Sequence, residues 1–269
     1  MSSSFACTSF GHRHHQPIWE CDGCGLLVQW PQPSDTQLVA AYEEVEDPTY
    51  VAESDNRHHT FRRVIGKLGA PGSRRLLDVG AYCGYFLDVA RDVGFCVEGL
   101  ELSRWAGDVA RSRGHTVHQQ TIRKRADVGG RYDVVTLWDV VEHLADPRRE
   151  LEAVFDLLEP GGQVWLSTID AGSRVARLFG SRWPWLMDMH LFYFDRSTLA
   201  TLLTQAGFVD VEIGLYTHVI SGRYLLRKVA ASFRPLGPVA RALQRVTPER
   251  VRVPINLGDN MIVSARKPA

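Results

Sequence analysis

From Ser73 onward the chain repeats one pattern: a short apolar run ending in a turn, then a stretch of helical spacing. RRLLDVG at 74–80 is followed by the helical FLDVARDVG, CVEGLEL by SRWAGDVARSRG, and the weaker run HTVHQQ by a loop carrying Arg123 to Arg125. YDVVTLWDV then leads to a helix from Pro147 to Leu158 that stops at the Pro-Gly-Gly of 160–162, and QVWLSTI closes the series. Strands alternating with helices in this way specify an α/β fold: a parallel sheet with right-handed crossovers and helices on both faces. Such sheets bind ligands beyond the carboxyl ends of their strands, where loops converge.

The flanks read differently. Residues 1–33 are rich in Cys and His and end in WPQP, where Pro31 and Pro33 interrupt regular structure. Residues 34–72 read as a helical cap, with Leu38, Val39 and Tyr42, then Phe61, Val64, Ile65 and Leu68, at spacings of three and four, and with ESDNRHH between them as a solvated stretch. The core is expected over 73–215. It includes an aromatic linker, FGSRWPWLMDMHLFYF, a helix at 197–207 stopped by Gly207, and an alternating strand at 208–216. Residues 216–269 read as a basic helical insertion, broken at Pro235 and Pro238, followed by a last strand NMIVSARKP.

Composition removes several function classes. The chain has 269 residues, 45% apolar and 23% charged, as in ordinary soluble proteins. Lys+Arg and Asp+Glu are equal at 31 each, so no global field draws it to DNA, and nucleic acid is not an expected partner. The five cysteines (Cys7, Cys21, Cys24, Cys83, Cys96) are too few and too unevenly spread for a disulfide scaffold. With no apolar leader and no long apolar run, a cytoplasmic location with reduced thiols is expected, and Cys83 and Cys96 read as buried small hydrophobes.

The turn after the first core strand carries the clearest chemistry. In LLDVGAYCGYF at 76–86, Gly80 and Gly84 let a ligand approach the backbone, and the following helix start presents free amides. The spacing is not GxGxxG, because Tyr82 stands where a middle glycine would be, and binding of NAD is disfavoured. Further on, Glu101 ends the second strand, where a carboxylate accepts hydrogen bonds from both ribose hydroxyls of an adenosine.

With YDVVTLWDVVEHLADP and LLEPGG added, the sequence resembles the class I S-adenosylmethionine-dependent methyltransferases, especially the bacterial branch acting on sugars, polysaccharides and small metabolites. The resemblance covers residues 73 to about 215, and GDNMIVSARKP is similar to that family's last strand. It implies a Rossmann-like, seven-stranded sheet with its final strand antiparallel. It also implies S-adenosylmethionine as cofactor, bordered by Asp78, Gly80, Ala81, Tyr82, Gly84, Tyr85 and Phe86, with Glu101 on the ribose, Leu102 beside the adenine, and Trp138 and Asp139 closing the pocket. The family's turn is usually acidic-x-Gly-x-Gly-x-Gly; Tyr82 departs from it, and its side chain would either narrow the pocket or, as is expected here, point outward while its backbone keeps the role.

Methyl transfer from a sulfonium to a hydroxyl needs an in-line nucleophile and a base. Two histidines fall on loops at the expected site: His190 in DMHLFYF, among Trp183, Trp185, Phe192 and Tyr193, and His143 in VEHL. The resembling families carry a similar HLxxF stretch, which implies a substrate-side role for His190. For His143 three readings stay open: a structural hydrogen bond, a catalytic base, or a Mg²⁺ site shared with Asp139 and Glu142, as in the branch that methylates quinone precursors.

CDGCG at 21–25 fits two adjacent zinc positions, and Cys7 with His12, His14 or His15 would complete a structural Zn²⁺ site; a decayed, metal-free site is the alternative. Between Tyr216 and Thr247 lie Arg223, Arg227, Lys228, Arg234, Arg241 and Arg245 with no acidic residue. This stretch reads either as a solvated helical face or as a surface meeting a phosphorylated or lipid-linked substrate at a membrane. The expected reaction is O-methylation of a sugar or glycan hydroxyl. C- or N-methylation of a nucleotide sugar or small metabolite, and a non-catalytic S-adenosylmethionine-binding protein, are the alternatives.

Overall fold

A computed structural model describes residues 15–232, 235, 237–248 and 250–269. At the N-terminus, strands Ile18–Glu20 (β1) and Leu27–Gln29 (β2) form an antiparallel hairpin around the CDGCG turn. Helices Asp35–Glu43 (α1), Pro48–Ala52 (α2) and Ser54–Val64 (α3) follow. Ser34 caps α1 in a reciprocal capping box with Gln37, satisfying amides that a helix start leaves open. The ESDNRHH stretch is helical, not a solvated link. Its polar groups find partners instead of water: Asn56 bonds Glu53 at 2.7 Å, and the Thr60 hydroxyl accepts the Val219 amide at 2.8 Å.

The core runs as Arg75–Val79 (β3), Tyr85–Val93 (α4), Cys96–Leu100 (β4), Arg104–Ser112 (α5), Val117–His118 (β5), Ile122–Val128 (α6), Tyr132–Trp138 (β6), Pro147–Leu157 (α7) and Leu158–Ile169 (β7). Then come Arg174–Phe179 (α8), Phe192–Tyr193 (β8), Arg196–Gln205 (α9) and Val209–Leu215 (β9). An insertion of His218–Ser221 (β10), Gly222–Ser232 (α10), Gly237–Val246 (α11) and Arg252–Ile255 (β11) precedes the last strand, Asn260–Arg266 (β12). The main sheet has seven strands in the order β5-β4-β3-β6-β7-β12-β9, and β12 runs antiparallel to both neighbours. This is the expected Rossmann-like methyltransferase sheet. Its central strands are buried on both faces: Leu76, Leu77, Val134, Val135 and Leu137 have no exposed surface.

Three local readings are corrected. Arg123 to Arg125 lie in α6, not in a loop: Thr121 caps that helix, Ile122 is buried beneath it, and Arg123 and Arg125 are paired with Glu150 and Glu98 at 2.8 and 3.0 Å. HTVHQQ contributes only a two-residue edge strand. Cys96 begins β4 at the sheet's rim and is exposed, whereas Cys83 is fully buried as expected.

Two smaller sheets attach the flanks. β2 pairs with β8, joining the N-terminal hairpin to the loop before α9, and β10 pairs with β11 at the base of the insertion. Among the described residues no helix is long and apolar enough to cross a membrane.

Candidate active site

At the end of β3 the chain turns sharply. Gly80 (φ 69°), Tyr82 (φ 47°) and Gly84 (φ 78°) all take left-handed backbone, which costs a side-chain-bearing residue about 1–2 kcal/mol. Gly80 has a second reason to lack a side chain: a Cβ there would lie 2.6 Å from Val140 Cγ2. At Tyr82 the strain is held by Glu101, whose Oε2 accepts the Tyr82 amide at 2.8 Å while Oε1 accepts the Ser103 amide at 2.7 Å. Each oxygen keeps a further lone pair. Burial pushes the Glu101 carboxyl up to about 6, against the pull of those amides, so it is still ionised at neutral pH.

A cavity of about 1970 Å³ opens where β3, β4, β6 and β7 end, lined there by Val79, Gly80, Glu101, Leu102, Trp138, Asp139 and Ile169. Among the expected cofactor residues, Gly80, Tyr82, Glu101, Leu102, Trp138 and Asp139 line it. Asp78, Ala81, Gly84, Tyr85 and Phe86 do not line it. Asp78 is 2% exposed and accepts the Thr136 hydroxyl at 2.6 Å, and burial pushes its carboxyl up to about 8. A Cβ on Gly84 would meet Ala110 and His115 at 3.0 Å, so this glycine serves the packing of the turn against α5. Tyr85 and Phe86 point into the core beneath the cap. The Tyr82 ring does not point outward: it stands edge-on to Tyr50 of α2 at 4.5 Å and to Trp105 at 6.2 Å. Trp138 stacks on Tyr216 at 5.9 Å, and its indole N–H is buried with no hydrogen-bond partner among the described residues.

The cavity brings the two candidate histidines together, with ring centroids 4.9 Å apart. His143 Nδ1 lies 2.7 Å from the Met189 carbonyl and His190 Nδ1 lies 2.8 Å from the Trp185 carbonyl. A carbonyl only accepts, so each Nδ1 carries hydrogen and each neutral ring keeps its lone pair on Nε2. Burial lowers both. His190 falls to about 3, pressed further by His143, which makes it a poor proton acceptor; His143 is held up by the Met189 carbonyl and by Asp139. Beside them Glu142 is pushed up to about 8 by burial and the Asp139 charge, leaving a carboxylic acid at neutral pH.

Sequence reasoning missed two residues that hold this geometry. Gln29, 1% exposed at the end of β2, donates to the Met187 carbonyl at 2.7 Å and to the His190 carbonyl, while its own amide donates to the Leu191 carbonyl at 2.9 Å. The N-terminal hairpin therefore pins the loop that carries His190. Asp259 accepts the indole N–H of Trp183 at 3.1 Å and of Trp185 at 3.0 Å, fixing the aromatic wall. A buried glutamine or aspartate between distant segments leaves no spacing signal.

The magnesium set is corrected. Asp139 accepts the Ser167 hydroxyl at 2.6 Å and is not grouped with Glu142 and His143; His190 is, with the three donor atoms within 4.8 Å of one another. Two imidazoles and one carboxyl match magnesium, which takes oxygen ligands, less well than a set of oxygen donors would. At the N-terminus, Cys7 and His12 lie outside the described residues. Cys21 and Cys24 are exposed on the hairpin turn, and the Cys21 thiol is lowered by the Gly23 and Cys24 amides and the Cys24 thiol.

Residues 54–213 match the family described as Methyltransferase domain. The chain belongs to that family. Among the relatives of this methyltransferase domain is the ubiquinone biosynthesis O-methyltransferase of Erwinia tasmaniensis, 35% identical over 108 residues, 38% of this chain and 44% of the relative. The enzyme of that name from Pectobacterium atrosepticum is 35% identical over 153 residues, 52% of this chain and 64% of the relative. The chain thus spans less than two-thirds of the length of either relative, 44% and 64%. In fold it is similar to an S-adenosylmethionine-dependent methyltransferase from Archaeoglobus fulgidus, with a TM-score of 0.55, 19% identity, and coverage of 82% of this chain and 100% of the other.

Proposed function

We propose that this methyltransferase domain transfers a methyl group from S-adenosylmethionine to a hydroxyl of a small acceptor with a flat apolar face, and that His143 accepts the proton. The observation that carries this reading is that one cavity holds both the Glu101-anchored turn and the His143 and His190 pair. The residues suit the cofactor. Glu101 offers a free lone pair on each oxygen for the ribose, and Trp138 has an unsatisfied indole N–H at the cavity wall. Bound S-adenosylmethionine would supply an electrophilic methyl on a neutral leaving group.

The chain's residues supply the rest. Nε2 of His143 takes the hydroxyl proton, and the Nδ1 bond to Met189 keeps the ring in the tautomer that can do so. Oxygen as acceptor atom is supported by the relatives' printed activity. Part of the wall, with Val175, Leu178, Phe179, Trp185, Met187 and Leu225, is apolar and gives an aromatic ring a surface to pack against. An aromatic hydroxyl therefore replaces the expected sugar or glycan as the proposed acceptor.

Calorimetry with S-adenosylmethionine and S-adenosylhomocysteine, followed by labelled methyl transfer to catechol, methyl glucoside and aniline, tests this. Methylation of catechol at oxygen is expected. Binding of neither cofactor form, or transfer confined to the sugar or the amine, would overturn it. The Cys21–Cys24 turn is proposed as half of a structural zinc site. Zinc content of the purified chain, lost in Cys21→Ser, is the expected result, and a zinc-free folded chain would reject it.

A further inference from the structure

One cation of the basic stretch between Tyr216 and Thr247 is half-buried and turned toward the cavity. Lys228, on α10, lines the cavity, and its Nζ lies 5.3 Å from the ring centroids of both Trp185 and Tyr224. Arg57, from α3, lines the same cavity, with its guanidinium 4.6 Å above the Tyr50 ring. No carboxylate pairs with Lys228 among the described residues. Asp259, which shares the cavity, is engaged by the indole N–H groups of Trp183 and Trp185.

The environment of this lysine is costly without a ligand. Burial, then the like charges of Arg57 and Arg227, bring its ammonium down to about 8, and no acid offsets them. Aromatic faces attract a cation, but less strongly than full hydration stabilises an ammonium. A second cation converging on the same space adds repulsion that a bound anion would reverse. The ring planes of Trp185 and Tyr224 flank the ammonium, so an acceptor able to reach it also meets apolar faces.

We propose that the acceptor carries an anionic group, a carboxylate or a phosphate, that binds Lys228 and Arg57 while its ring packs against Trp185 and Tyr224. This rests on reading the cavity as the methyl-acceptor site. It assigns Lys228 as a specificity residue, placing its charge inside the site and not on a solvated helical face.

The test titrates the full chain with benzoate, phenyl phosphate and uncharged benzyl alcohol, each with and without saturating S-adenosylhomocysteine. At least one anion should bind about tenfold or more tightly than benzyl alcohol, as a charge-assisted hydrogen bond implies. Lys228→Met should abolish most of that preference while affinity for S-adenosylhomocysteine stays unchanged and the melting temperature does not fall, and Arg57→Gln should reduce it. The anion that gains more separates carboxylate from phosphate. Equal affinity for all three probes, or an anion preference that survives Lys228→Met, would overturn the proposal. Failure of S-adenosylhomocysteine to bind would instead reject the methyl-transfer reading, with the anion preference still readable in titrations without it.

Discussion

Removal of the Glu101 carboxylate should weaken cofactor binding in two separable ways. Its oxygens each accept one backbone amide, Tyr82 at 2.8 Å and Ser103 at 2.7 Å, and each retains a lone pair for a ribose hydroxyl. Hydrogen bonds to a charged group contribute about 1.5–3 kcal/mol, so Glu101→Ala should raise the dissociation constant of S-adenosylhomocysteine about 10- to 150-fold. Part of that loss would come from the turn, since Tyr82 sits at φ 47° and loses the acceptor that holds its amide. Placing Glu101→Ala on a Tyr82→Gly background separates this part: glycine takes the left-handed turn without strain, so the turn depends less on the lost acceptor, and Tyr82→Gly alone should cost less than about tenfold. Isothermal titration reads all three variants. A pH series adds a signature: burial holds Glu101 at about 6, and ribose hydroxyls favour its ionised form, so wild-type affinity should fall as pH drops through that value. Glu101→Ala should lack this fall. A dissociation constant within twofold of wild type, or an unchanged pH response, would refute the ribose assignment.

His143→Asn should lower kcat on the order of 100-fold with unchanged S-adenosylhomocysteine affinity, because an amide cannot take up the hydroxyl proton; a smaller loss than for His190→Asn, in the same catechol assay, would reverse their roles. Asp78 has a folded value of about 8 against an ordinary 3.8, so the native state holds a proton that the unfolded chain has released. Its contribution is present below the unfolded value and is lost as pH rises from about 4 to about 8; Asp78→Asn, which keeps an oxygen for Thr136, should flatten urea-derived stability over that window by up to about 1.4 kcal/mol per pH unit. An unchanged slope would argue against a protonated Asp78. Gln29→Leu should lower kcat more than it changes cofactor affinity, since it frees carbonyls in the loop carrying His190; parallel changes in both would point to general unfolding instead.

The sheet was legible because its signals are local. The apolar runs of β3, β4, β6 and β7 end at the turns that line the cavity, and Gly80, Glu101, Trp138 and Asp139 follow from their places at strand ends. The roof was not legible, because three segments distant in sequence build it: α1 to α3, the loop from Phe179 to Leu191, and the β10 to β11 insertion. Helical periodicity in the cap could be read, but not that Arg57 on α3 and Lys228 on α10 would share one cavity. Likewise the motif that names Tyr85 and Phe86 cannot tell a ring beneath the cap from one against a ligand. Only the packing of Phe61 at 5.2 Å from Phe86 settles that.

The roof and the glycine turn after β3 are joined as one unit, and this explains the residue that departs from the family pattern. Asp88 of α4 receives His58 from α3 at 3.0 Å, His115 at 2.8 Å, Arg113 Nε at 3.0 Å and Arg91 at 3.2 Å. Burial alone would raise its carboxyl; Arg113, His58 and His115 together outweigh that and hold it below the usual range. The cap is thereby fastened to the helix that begins at the turn. Above that helix start, Tyr50 stacks on Tyr85 at 5.6 Å and takes the edge of Tyr82 at 4.5 Å. A central glycine would leave Tyr50 with no ring to meet at that position. The tyrosine accepts left-handed strain of about 1–2 kcal/mol, and the aromatic contact it makes with the cap contributes about 0.5–1.5 kcal/mol in return. The same ring also meets Trp105 edge-on at 6.2 Å, so the altered turn and the cap are parts of one arrangement.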